Sequence, residues 1–103
     1  MQKTFPLQVA GKANARVIDA IKHDVRKYVK RERNKALPEG FEQWDFKCRV
    51  GRNALEAEST ILKKIGEAID TVAATNVGEI YVEIIAVPAH RGSSTPPLSA
   101  DNP

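Results

Sequence analysis

Six apolar residues, Val17, Ile18, Ile21, Val25, Tyr28 and Val29, recur at i, i+3 and i+4 spacing and define a helix with one apolar stripe. Such a helix must lay its stripe against a second layer, while its other faces stay wet. The pattern predicts a helix from about Ala15 to Ala36, with Asn14 as N-cap. Pro38 and Gly40 end it, because proline cannot continue the hydrogen-bond ladder. A second stripe, Ile61, Leu62, Ile65, Ala68, Ile69 and Val72, predicts a shorter helix over about 61–75. Glu56, Glu58, Ser59 and Thr60 supply acidic and capping residues before it, and Asn76 and Gly78 close it. Gly66 inside that helix costs about 1 kcal/mol against alanine and is expected to permit close packing on a sheet.

The intervening segments change period from 3.6 to 2. Residues 41–50 put Trp44, Phe46, Cys48 and Val50 on one face and Gln43, Asp45, Lys47 and Arg49 on the other. Phe5, Leu7 and Val9 share a face over residues 3–9, although Pro6 cannot donate to a ladder and favours an edge; Gly11 then breaks the strand. Residues 79–87, apolar on both faces, read as an interior strand. After a turn at Gly51–Asn53, residues 54–58 read as a short edge strand or a loop. The order β-α-β-(β)-α-β, with two one-sided helices, implies an α+β two-layer sandwich with both helices on one face of a small sheet. Pairing of Leu55–Glu58 with the second strand would make it ferredoxin-like, which puts the first strand inside the sheet, against the preference of Pro6. The expected division is one α/β domain over residues 1–88 and a disordered tail over 89–103, where PAHRGSSTPPLSADNP offers too little apolar surface to offset its ordering entropy.

Charge is concentrated on the first helix. From Arg16 to Lys35 there are eight Lys or Arg and three Asp or Glu, a balance of +5, against −2 for the remainder and +3 for the chain. At about 1.5 Å per residue this helix is about 33 Å long, against ~17–20 Å for a typical strand, so one end is expected to overhang. Glu32 falls in the middle of the apolar face, and KRERNK beyond Val29 is charged all round. The carboxyl-terminal turns are therefore expected to project into solvent or onto a partner.

The segments KTFPLQVAGK, AIKHDVRKYVKRERNKALPEG, WDFKCRVG and YVEIIA resemble a family of small bacterial proteins, a domain of unknown function, over residues 2–88. The resemblance implies no catalytic or ligand residues.

No reacting constellation emerges from the residues. Cys48, the only cysteine, sits mid-strand among aromatics and reads as an inert buried thiol. His23, His90 and Cys48 are too scattered for a metal site, Gly51, Gly66 and Gly78 form no phosphate loop, and His23 with Asp19 reads as a surface pair. The reading leans away from an enzyme and implies no cofactor and no metal. One cysteine, no apolar run near the ~20 residues that span a bilayer, and an amino terminus unlike a signal peptide imply a cytoplasmic, non-membrane protein.

The candidate binding site is the basic helix: Lys22, Arg26, Lys27, Lys30, Arg31, Arg33 and Lys35. Asp19 can pair with Lys22, and Asp24 with Lys27, leaving Arg26, Lys30, Arg31 and Arg33 for an anionic partner, with Lys22, Arg26, Lys30 and Arg33 facing away from the core. Cations on one face suit phosphate contacts, so the expected partner is the backbone of RNA or DNA. Base reading is disfavoured, since only Tyr81 is a candidate stacking residue on the open sheet. The competing readings are a solvated helix face and a protein-interaction module that binds an acidic protein. A small homo-oligomer formed through Tyr81, Ile85 and Val87 is a further alternative, and the oligomeric state is left open.

Overall fold

A computed structural model describes residues 1–7, 14–75 and 77–90. The elements are β1 (Gln2–Pro6), α1 (Asn14–Arg33), β2 (Gln43–Gly51), β3 (Glu58–Thr60), a 3-10 turn (Leu62–Lys64), α2 (Ile65–Ala73) and β4 (Glu79–Ala89). The four strands form one antiparallel sheet in the order β1-β4-β2-β3. With two helices it is α+β, as the alternating periods imply. Val9, Gly11, Asn76 and residues 91–103 of the tail expected over 89–103 lie outside the described residues, while Ala89 is the last residue of β4 and pairs with Gln43.

The short strand of the expected hairpin forms and pairs with β2, yet the sheet is not ferredoxin-like, because β1 lies at the edge and β4 and β2 occupy the centre. Pro6 therefore leaves no interior ladder broken. The strand also lies later than expected: Glu58, Ser59 and Thr60 pair with Val50, Arg49 and Cys48 instead of preparing a helix. Neither the 3-10 turn nor α2 has a side-chain cap at its start. Between β2 and β3 the chain turns tightly over Gly51, where an added Cβ would stand 2.5 Å from the Ala57 Cα.

Both helices cover the face that carries Phe46, Cys48 and Val50 from β2 and Ile80, Val82 and Ile84 from β4. Val17, Ile21, Val25 and Val29 of α1 and Ile65 and Ile69 of α2 close this core, and Phe5 and Leu7 complete it. Gly66 faces α1 instead of the sheet: a Cβ there would meet only the Lys22 Cε, at 3.9 Å.

The expected overhang of α1 is absent. The helix has 20 residues, about 30 Å, but β4 has 11 residues, about 36 Å. Longer strands than the typical value hold the last turn over the sheet. Glu32 lines a shallow recess with Tyr28, Ile84 and Ala86, its side chain is only 13% exposed, and Lys35 Nζ lies 2.8 Å away. The Trp44 indole N–H donates to the Lys35 carbonyl at 2.9 Å, fastening the exit from α1 to β2.

Candidate polyanion-binding surface

The seven candidate cations lie on α1 or just past its end, but their side chains separate into two groups. Lys22 reaches across to α2 and pairs with Asp70 at 2.9 Å, instead of with Asp19 on its own helix. Lys35 and, at 3.8 Å, Arg31 meet the Glu32 carboxylate. The Arg31 guanidinium also lies over the Tyr28 ring at 5.5 Å. Arg33, expected on the outward face, turns back so that its guanidinium stands 5.5 Å from the centre of the Phe46 ring. A long arginine side chain at a helix end can cover an apolar edge while its charge stays wet.

Arg26, Lys27 and Lys30 form the second group. All three are exposed, and none has a salt bridge or hydrogen bond among the described residues. The expected Asp24–Lys27 and Asp19–His23 pairs do not form either. Arg26 and Lys30 stand one helical turn apart, and Lys27 lies beside them. Arg16, Asp19, Ala20 and His23 continue the same face toward the amino terminus, around a shallow depression that Arg26 also lines.

Lys63 and Lys64 were not singled out by sequence reading. Both are exposed in the 3-10 turn ahead of α2. Cations at a helix start oppose the helix dipole, whereas those at the end of α1 complement it. The paired lysines after the expected caps were the available signal, obscured because residues 56–60 read as ordinary helix-initiating residues.

The opposite face of the sheet offers no base-stacking platform at Tyr81. That residue is 9% exposed, and its hydroxyl donates to Glu83 Oε1 at 2.7 Å. This bond to a carboxylate raises the hydroxyl pKa. Arg49 Nη1 meets the same carboxylate oxygen at 3.3 Å, while Nη2 donates to the carbonyls of Ala54 and Ala57. The group pins the β2–β3 loop to β2 and β4. Ile85 remains 42% exposed on this face, without its expected neighbour Tyr81 at the surface.

Cys48 is buried, and burial, followed by the nearby Asp45 carboxylate, pushes its thiol up to about 11. Among the described residues no three His, Cys, Asp or Glu side chains are grouped to hold a metal ion. No helix among them is long and apolar enough to cross a membrane.

The chain matches the model of a family of unknown function, DUF6172, over residues 1–95, and belongs to that family. No curated protein and no solved structure matches it.

Proposed function

We propose that this protein binds the phosphate backbone of RNA or DNA through the exposed face of α1, with Arg26, Lys27 and Lys30 as the principal contacts. The supporting observation is that these three cations are clustered, exposed and without an ionic partner among the described residues. Complementing the helix dipole does not account for them all. That effect is confined to the last turn, where Lys30, Arg31 and Arg33 lie, and Arg26 and Lys27 stand before it. Arg33, Lys63 and Lys64 extend the positive field around this cluster without being its centre.

Contact with phosphates and not with bases is the mode that fits. Trp44 and Phe46 belong to the helix-covered face, and Tyr81 is buried. A backbone contact carries no sequence information, so binding should tolerate many sequences. The reading carries with it a cytoplasmic location in bacteria, where RNA and DNA are abundant polyanions.

Retention on heparin and on immobilised RNA tests the proposal. Wild-type protein should be retained at low salt, on the order of 50 mM. The triple variant R26Q/K27Q/K30Q should flow through while keeping its circular dichroism spectrum, since none of the three residues belongs to the core. Passage of the wild-type protein through both resins unretained would refute the reading.

A further inference from the structure

A groove of about 510 Å³ lies between the carboxyl-terminal half of α1 and the start of α2. Its floor is aliphatic, with Val25 and Val29 from one side and Leu62 and Ile65 from the other. Its rim carries Arg26, Lys30 and Arg33, with Asn34 at one end and no carboxylate. We infer that this groove receives an acidic amphipathic helix from a partner protein, apolar side chains on the floor and carboxylates against the rim.

Shape and charge point to that occupant together. Lys22 meets Asp70 at one end of the helix pair, while Val29 and Arg33 stand with Leu62 and Ile65 at the other, so α1 and α2 run antiparallel. A channel between two such helices suits a third helix laid along it. The lining from Val25 to Asn34 extends about 14 Å along the axis of α1. Anchors at i, i+3 or i+4, and i+7 of a docked helix occupy a comparable stretch.

A nucleic acid would satisfy the rim but not the floor. Single strands gain from aromatic platforms, and no aromatic residue lines this groove. Val25, Val29 and Ile65 are only 3%, 6% and 7% exposed, so half-buried Leu62 is the apolar side chain left for a partner to cover, and a duplex would offer phosphates to the cations without covering it. Glutamate and leucine side chains on one helix supply both contacts. Lys63 and Lys64 strengthen the charge match, since they lie between Leu62 and Ile65 and add positive charge where the start of α2 gains nothing from it. The groove shares Arg26 and Lys30 with the proposed phosphate surface, whereas Leu62 belongs to the groove alone and Lys27 does not line it, so variants at these two positions separate the readings.

Two fluorescently labelled peptides of identical leucine and glutamate composition test this, one with its leucines on a single helical face and the other scrambled. Titrated with the whole protein and followed by anisotropy, the amphipathic peptide should bind at least tenfold more tightly than the scrambled one. Leu62→Ser should reduce that preference at least fivefold and leave heparin retention unchanged. Lys27→Gln should do the reverse, weakening heparin retention without affecting the peptide. Should Leu62→Ser fold poorly, amide shifts of the wild-type protein decide: amphipathic-peptide shifts confined to residues 25–34 and 62–65 support the groove, and shifts centred elsewhere overturn it. Equal binding of the two peptides, or binding of neither, also overturns it.

Discussion

Gly51 and Gly66 make opposite demands on substitution. At Gly51 the approach of the Ala57 backbone leaves no room for a methyl group, because Cα and N would stand 2.5 and 2.8 Å from it. Gly51→Ala should destabilise the protein by about 1–3 kcal/mol, since the loop must move or the side chain overpacks. At Gly66 the nearest atom to an added Cβ is the movable end of Lys22. Gly66→Ala should therefore stabilise by roughly 0.4–1 kcal/mol, through lower unfolded-state entropy and better helix propensity. Urea denaturation of the two variants checks both signs. Cys48 gives a pH-dependent counterpart. Its thiol is pushed up from 9.0 to about 11, so the folded state disfavours the thiolate. The resulting stability is complete below about pH 9 and declines as pH rises through about 11. Cys48→Ala should flatten that decline in alkaline urea melts, and native wild-type protein at neutral pH should resist alkylation until it is unfolded.

Within elements, local period was legible and side-chain partnering was not. The alternation in FEQWDFKCRV placed Phe46, Cys48 and Val50 correctly on the buried face, because side chains of one strand must alternate whatever their neighbours. The stripe on α1 likewise marked Val17, Ile21, Val25 and Val29. By contrast, Glu58, Ser59 and Thr60 suit either a cap or an edge strand, and only their pairing with β2 decides. Arg33 was assigned by helical angle alone, but its flexible stem brings the charge back over Phe46. Lys22 similarly has a partner 48 positions away that no i, i+4 rule could reveal. This redistribution narrows the candidate site to Arg26, Lys27 and Lys30. Arg33→Gln should consequently affect thermal stability more than Lys27→Gln does, by loss of its contact with Phe46, while Lys27→Gln should affect heparin retention more. Parallel melting and elution profiles separate the two effects.

At the scale of the whole molecule, the two-layer arrangement followed from one-sided helices, but strand order depended on pairings between distant segments. Pro6 correctly favoured an edge position for β1. The apolar character of both faces of residues 79–87 marked β4 as an interior strand, but nothing local named β1 and β2 as its neighbours or gave it the length to support all of α1. The consequence for function is a rigid presentation. The last turn of α1 is held on the sheet through Trp44, Glu32 and Arg33, so its outward cations are displayed from a braced surface and not from a projecting arm. Fluorescence anisotropy of a labelled RNA or DNA oligonucleotide, titrated with wild-type protein across a salt series, tests the central claim most directly. Three phosphate contacts predict a log K against log salt slope of about −2 for single strands and about −3 for duplex, a loss of roughly 20- to 40-fold between 50 and 200 mM salt. A slope near zero, or no binding at the lowest salt, would contradict it.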